Sequence, residues 1–216
     1  MGQPKQLLSL AGQPIAAWSL AALAHAPSVN SIVIACESQQ RAAFEQLAIT
    51  HGCDKVTYVV GGGETRQQSV FAALRAMGDP SDIVVIHDGA RPFARSPLVE
   101  AVIASARRTG GAIAAIAVKD TIKQVDDAQA VAKTIARNRL WAAQTPQAFA
   151  YGVLYSAHER AQHDGFLATD DAELVERIGG TSITLVEGAS DNLKITTPED
   201  LALAECLAAS RQDTIL

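Results

Sequence analysis

Four consecutive apolar residues, Ile83-Val84-Val85-Ile86, stop abruptly at His87-Asp88-Gly89-Ala90-Arg91-Pro92, and this junction restricts the fold more than any other stretch of the chain. The run is too short to span a bilayer and too β-branched for a good helix, so a buried central strand is expected. Open α/β sheets present ligand sites at the carboxyl ends of such strands, which directs attention to Asp88 and Arg91. Further strand-like runs fall at residues 29–36, 56–60, 112–118 and 182–186, with helical patterns between most of them. That alternation predicts an α/β fold with a mostly parallel sheet flanked by helices on both faces. Helix starts are marked by Pro14 ahead of Ile15 and Trp18, by Ser96-Pro97, and by Thr197-Pro198-Glu199-Asp200.

With 216 residues, 48% of them hydrophobic and 19% charged, a single domain over 1–216 can bury its own core. The net charge of -5 gives no global attraction to nucleic acid or to an anionic membrane surface. Phosphate binding therefore depends on locally gathered Lys and Arg, and a small anionic ligand is the expected partner. Cys36, Cys53 and Cys206 are odd in number and lack paired spacing, which fits reduced thiols in a cytoplasmic protein and supports neither a disulfide framework nor a zinc site. No leader-like segment or bilayer-length apolar run is present, so a soluble protein is expected.

Residues 119–138 break the α/β rhythm. Ile122, Val125, Val131 and Ile135 alternate around a polar turn at Asp126-Asp127, which predicts a protruding β-hairpin arm. An arm with so few apolar residues cannot form a core of its own, and a second subunit is the natural surface for it.

Several segments carry groups suited to chemistry. Gly61-Gly62-Gly63-Glu64-Thr65-Arg66-Gln67-Gln68-Ser69-Val70 follows a strand and opens a helix, where free amides favour a polar or anionic ligand. It lacks both the third glycine of a dinucleotide fingerprint and the Gly-Lys-Ser/Thr ending of a P-loop, and it also reads as a tight turn with a helix cap. Asp88 could hold a divalent cation or a sugar hydroxyl; Arg91 could fork onto a phosphate or brace Asp88 as an ion pair. His87 reads as a packed, hydrogen-bonded ring. Lys194 alternates with Leu193 and Ile195, which turns it away from their apolar side. Thr169-Asp170-Asp171 reads as a helix cap with acids in the first turn. Lys5 follows Pro4 near the start of the sequence and alone would pass as a terminal charge.

Pro4-Lys5-Gln6, the Gly62-Gly63 loop with Arg66 and Ser69-Val70, the His87 to Pro92 stretch, Asp120-Thr121-Ile122-Lys123, Arg137-Asn138, Leu140-Trp141, Thr145-Pro146-Gln147, Thr169-Asp170 and Asp191-Asn192-Leu193-Lys194 occur in the order and spacing of one family. Together they resemble the 2-C-methyl-D-erythritol 4-phosphate cytidylyltransferases. The resemblance implies a Rossmann-like nucleotidyltransferase fold, a homodimer joined through the arm, and transfer of a cytidylyl group from CTP to methylerythritol phosphate in non-mevalonate isoprenoid synthesis. It places Gly63, Glu64 and Ser69 in the cytosine pocket, with Arg66 holding that loop. It assigns Asp88 to magnesium and to the substrate hydroxyls, and Arg91, Thr121, Thr169 and Lys194 to the methylerythritol phosphate site. Arg137 is expected to reach that site from the partner subunit, and Lys5 and Lys194 to act on the α-phosphate in the transition state.

The family pattern also includes a first strand and a glycine-rich loop ending in Met-Gly, and this sequence starts at what resembles that ending. The expectation is that residues upstream are omitted, the alternative being a truncated form with little activity; without that strand a neighbouring edge is left unpaired and apolar surface exposed. Gly89 stands where the family commonly has Ala, and Arg139 where a small residue is usual. Rival readings are a CTP-dependent transferase for another alditol phosphate such as ribitol 5-phosphate, and an inactive nucleotide-binding homologue. A nicotinamide dehydrogenase does not fit the glycine spacing.

Overall fold

The structure is a computed structural model that describes residues 4–77 and 82–212. A short 3₁₀ turn at Lys5–Leu7 leads into a small hairpin, β1 (Ser9–Leu10) and β2 (Gln13–Pro14), closed by Ala11 and Gly12 at φ of 48° and 82°. Next come α1 (Ile15–Ala24), β3 (Ile32–Cys36), α2 (Arg41–Thr50), β4 (Val56–Gly61), α3 (Arg66–Ala76) and β5 (Ile83–Ile86). The chain continues through α4 (Ser96–Thr109), β6 (Gly110–Ala117), the arm strands β7 (Ile122–Val125) and β8 (Val131–Ile135), and β9 (Trp141–Ala150). It ends with α5 (Tyr151–Asp164), α6 (Asp171–Ile178), β10 (Ser182–Glu187) and α7 (Pro198–Gln212).

The main sheet has four strands in the order β10-β6-β9-β5, and β3 and β4 form a separate parallel pair. The sheet is more mixed than the mostly parallel arrangement expected. β10 and β6 are parallel, but β9 runs antiparallel to both β6 and β5. β9 escaped the sequence reading because its centre, Gln144-Thr145-Pro146-Gln147, is polar and contains proline, whereas buried strands are usually apolar. The edges of β3 and β5 that face one another carry no ladder, and a cavity of about 560 Å³ runs between them, lined by Val33 and Ala35 on one side and Val84 and Ile86 on the other.

Side-chain alternation divides the main sheet into two covered faces. Ala112, Ala114 and Ala148 meet Val102 and Ala106 of α4, while Ile113, Phe149 and Val84 meet Leu154 and Ala157 of α5, Leu174 and Val175 of α6, and Leu74 of α3. Buried Val99, Val102, Ile103 and Ala106 give α4 its apolar stripe, and the helix stops at Gly110, whose φ of 89° suits glycine. The cap of α4 is Arg95 rather than Ser96; the Ser96 hydroxyl instead donates to the Ala22 carbonyl, and Pro97 sits in the first turn as expected. A third cluster of Leu10, Ile15, Phe93 and Ile195 holds α7 against the start of the chain through Ala204 and Ala208.

The expected hairpin forms, with β7 and β8 antiparallel and turning at Asp126, whose carboxylate accepts from the Ala128 and Ala130 amides. Val125 and Val131 remain largely exposed on it. No helix among the described residues is long and apolar enough to cross a membrane.

Phe149 is completely buried at the centre of the sheet, and its ring lies 3.0 Å from where a Cβ on Gly111 would sit. Phe149→Ala is expected to cost about 3–5 kcal/mol, because the rigid strands around it cannot close the cavity. Urea unfolding of both proteins measures that difference.

Candidate functional site

Three loops meet at the carboxyl end of β5. The first is the turn after the strand, where the Arg91 amide donates to the Asp88 carbonyl at 3.0 Å. The second is the start of α3, built as a capping box: the Thr65 side chain accepts from the Gln68 amide, and the Gln68 side chain accepts from the Thr65 amide. The third joins β10 to α7, where fully buried Asn192 donates to the Thr145 carbonyl and the Ile195 amide donates to the Ala90 carbonyl. Leu193 and Ile195 pack inward, so Lys194 turns out toward the rim as the alternation predicts.

The three loops converge on one carboxylate. Asp88 Oδ1 accepts from Arg66 Nε at 3.0 Å, and its Oδ2 lies 2.9 Å from Lys194 Nζ and 3.7 Å from Arg91 Nε. The Asp88 side chain is 13% exposed. Burial alone would raise its pKa, but Arg66 and Lys194 overcome that effect and hold the carboxyl far below the usual carboxylate range. Arg91 both braces Asp88 and donates to the Asn192 carbonyl at 2.8 Å. Burial lowers the Arg91 pKa despite the neighbouring acid. Lys5 lines the same cavity as Arg66, Asp88 and Lys194.

The glycine loop leaves no room for side chains at Gly62 and Gly63. A Cβ on Gly63 would fall 2.4 Å from the Gln68 Cβ, and one on Gly62 would fall 2.6 Å from the Ser69 hydroxyl. The Gly63 amide donates to that hydroxyl at 3.2 Å, which in turn donates to the Thr65 carbonyl. Glu64 points into solvent. A Cβ on Gly89 would meet only the Gln6 side chain at 3.7 Å, so alanine fits there.

His87 takes the structural part expected of it. The neutral Nε2–H tautomer donates to the Arg91 carbonyl at 3.1 Å, and its Nδ1 accepts from the Thr145 hydroxyl at 3.1 Å. That hydroxyl also accepts from the Asp88 amide, which fixes the backbone under the carboxylate. Burial lowers the His87 pKa to about 4, against the opposing pull of the Arg91 carbonyl and Asp88.

Not every expected site residue joins the cluster. Thr121 and Arg137 lie exposed at the base of the arm, and the Arg137 guanidinium donates to the Lys119 carbonyl. Thr169 is exposed and gives its amide and hydroxyl to Glu173. No hydrogen bond or ion pair links these three to Asp88 among the described residues. Two participants were not read from the sequence. Asp170 is the α6 cap, as expected, but Asp171 is buried and pairs with Arg66 at 2.7 Å and with His158 at 3.2 Å. Their only sequence signal is an acid next to a cap and a lone histidine, which ordinary helices also carry.

The family described as IspD, 2-C-methyl-D-erythritol 4-phosphate cytidylyltransferase, has a model that matches residues 1–210. A protein of that name from Shouchella clausii is 42% identical over 214 residues, 99% of this chain and 92% of the relative. Another, from Geobacillus kaustophilus, is 44% identical over 210 residues, 97% of this chain and 91% of the relative. A solved 4-diphosphocytidyl-2C-methyl-D-erythritol synthase from Anaerococcus prevotii superposes with a TM-score of 0.87 at 30% identity, covering 93% of this chain and 88% of its own. The 2-C-methyl-D-erythritol 4-phosphate cytidylyltransferase of Thermus thermophilus gives 0.79 at 34% identity, covering 96% and 95%.

His87 makes stability depend on pH in a definable window. Its folded pKa is depressed, so the unfolded chain takes up the extra proton; the contribution is complete above about pH 6.5 and is lost as pH falls toward about 4. The thermal midpoint is expected to fall across that window, and the part of the slope due to this ring should vanish in His87→Gln.

Proposed function

Because the chain belongs to the 2-C-methyl-D-erythritol 4-phosphate cytidylyltransferase family, we propose that the rim around Asp88 is where its two substrates react. The protein is a nucleotidyltransferase that joins CTP and 2-C-methyl-D-erythritol 4-phosphate, giving the CDP-alcohol and pyrophosphate in isoprenoid precursor synthesis. The observation that carries the site reading is the convergence of Arg66, Arg91 and Lys194 on one ionised acid, in a cavity that Lys5 also lines.

The reaction needs little acid or base. The attacking phosphate of the alcohol is already ionised at neutral pH, so the protein has to align it with the α-phosphate of CTP and offset the charge that builds as pyrophosphate leaves. Lys5 and Lys194 supply that offset. Lys194 is held by Asp88 until phosphate oxygens compete for it, so its position is set before the nucleotide arrives. The loop of Gly63, Glu64 and Ser69 takes the cytosine, and its backbone donors and acceptors distinguish cytosine from uracil. Arg91 binds the alcohol phosphate.

The acid also fits a divalent cation. No cluster of three or more His, Cys, Asp or Glu side chains suited to a metal occurs among the described residues, and Arg66 and Lys194 engage the two Asp88 oxygens, so Asp88 would hold magnesium once Lys194 has moved to phosphate. Bound there, magnesium would neutralise phosphate charge and hold the triphosphate in line.

Thr121 and Thr169 line the alcohol-phosphate pocket, and Arg137 completes it from a second subunit, with the exposed arm as the dimer contact. The exposure of Arg137, whose guanidinium donates to the Lys119 carbonyl, supports that assignment, as do Val125 and Val131 left open on the arm. The three free thiols favour a reducing compartment, the cytoplasm.

Pyrophosphate release with CTP and methylerythritol phosphate tests the reading directly. Lys194→Ala is expected to lose about 10²–10³-fold in kcat, with a lowered but still cooperative thermal midpoint because Asp88 loses one of its cations; near-normal turnover in the folded variant removes its role. Preference for ribitol 5-phosphate would reassign the pocket. For the dimer, mixing inactive Lys194→Ala with inactive Arg137→Ala should restore partial activity, since one site of the mixed dimer is then intact. No recovery after subunit exchange rejects a shared site.

A further inference from the structure

The Asp88 cluster explains why Arg66 faces one acid, but Arg66 is held by two. Its Nη1 meets Asp171 Oδ2 at 2.7 Å, closer than the 3.0 Å of its Nε to Asp88. The Arg66 side chain is 34% exposed, whereas Asp171 is 1% exposed. The other oxygen of Asp171 accepts from Nε2 of His158, also 1% exposed, and the histidine ring stacks on Phe71 of α3 with 10° between the planes. The remaining ring nitrogen of His158 is buried without a hydrogen-bond partner, so the ring's one engaged nitrogen is spent on Asp171. Burial opposes the Arg66 charge; Asp171 and then Asp88 outweigh it and hold the guanidinium protonated beyond the usual arginine range.

A second contact joins the same two elements. Gln67 donates to the Phe166 carbonyl at 3.0 Å and accepts from the Ala168 amide at 2.9 Å. The first turn of α3 is thus fastened to residues 166–171 by two adjacent side chains. A surface cap needs neither of these partners.

We propose that Asp171, backed by His158, is the positioning residue for Arg66, fixing the guanidinium so that the glycine loop and Asp88 are held in register for the nucleotide. This rests on the cytidylyltransferase reading above. The ion pair is oriented from its buried end: the aspartate is locked on one oxygen by the histidine, and the other oxygen fixes where the guanidinium can lie. Arg66 is then unable to swing out to a phosphate, and its part is to aim its neighbours. Outer partners that orient a functional group in this way typically change affinity or activity by about 10–100-fold when removed.

The test compares Asp171→Asn, His158→Gln and His158→Leu in the full chain, well below each thermal midpoint. Asp171→Asn is expected to raise the KM for CTP about tenfold, with kcat reduced much less. His158→Gln retains an N–H that can reach Asp171 and should stay near the wild-type KM, whereas His158→Leu retains apolar volume, loses the donor and should raise it. A purely structural role gives the opposite result: lower thermal midpoints with an unchanged KM in the folded fraction, and Leu tolerated better than Gln. Either finding overturns the proposal. The wild-type control separates this from the functional reading. If the wild type shows no transfer, that reading fails, and calorimetric CTP affinity of the wild type and Asp171→Asn then decides positioning alone: a tenfold weakening supports it, while equal affinities or no binding by either protein reject it.

Discussion

A carboxylate that is mostly removed from water keeps its charge only if cations compensate the lost hydration, and Asp88 imposes that requirement on three distant parts of the chain. Arg66 comes from the start of α3, Arg91 from the turn after β5, and Lys194 from the loop before α7. None of these loops is long or strongly apolar. Each is drawn to the rim by the same acid and then fixed from behind by neutral contacts: the Thr65 capping box, the Thr145 to His87 bridge, and the Asn192 amide. If this rim takes the phosphates, as proposed, the three cations already stand where that charge must be met, and the protein reorganises little as it develops.

The pattern of the sequence reveals the parts of this arrangement governed by local rules. The apolar run at Ile83–Ile86 is a strand with the expected limits, and the glycine loop ends in a capped helix, because periodicity and cap chemistry are properties of short segments. Lys194 faces the rim because Leu193 and Ile195 alternate with it. β9 was hidden for the opposite reason. Its Gln144 and Gln147 look like surface residues, yet they are buried because their amides reach the Ala189 carbonyl and Asp170, partners remote in sequence. Asp171 and His158 were hidden likewise: a first-turn acid and a mid-helix histidine look ordinary until α5 and α6 pack side by side. Thr121, Arg137 and Thr169 rest on family resemblance, and among the described residues none of the three hydrogen-bonds to the acid they were grouped with.

Small residues explain why the sheet can bring these loops so close together. Ala112, Ala114 and Ala148 present a nearly smooth face to α4, and Gly111 leaves room for the Phe149 ring on the other face. Bulk is concentrated on the α5 and α6 side, where Phe149, Leu154 and Leu174 fill the space. Packing of this kind tolerates little change in volume and holds the end of β5 in a fixed place.

β3 and β4 share a cluster with α1 and α2, and the main sheet has its own, so among the described residues the two are tied by helices and side chains rather than by a ladder. The glycine loop leaves directly from β4, so its place over the rim is set by how side chains pack against α1 and α2 and not by hydrogen bonds of the main sheet.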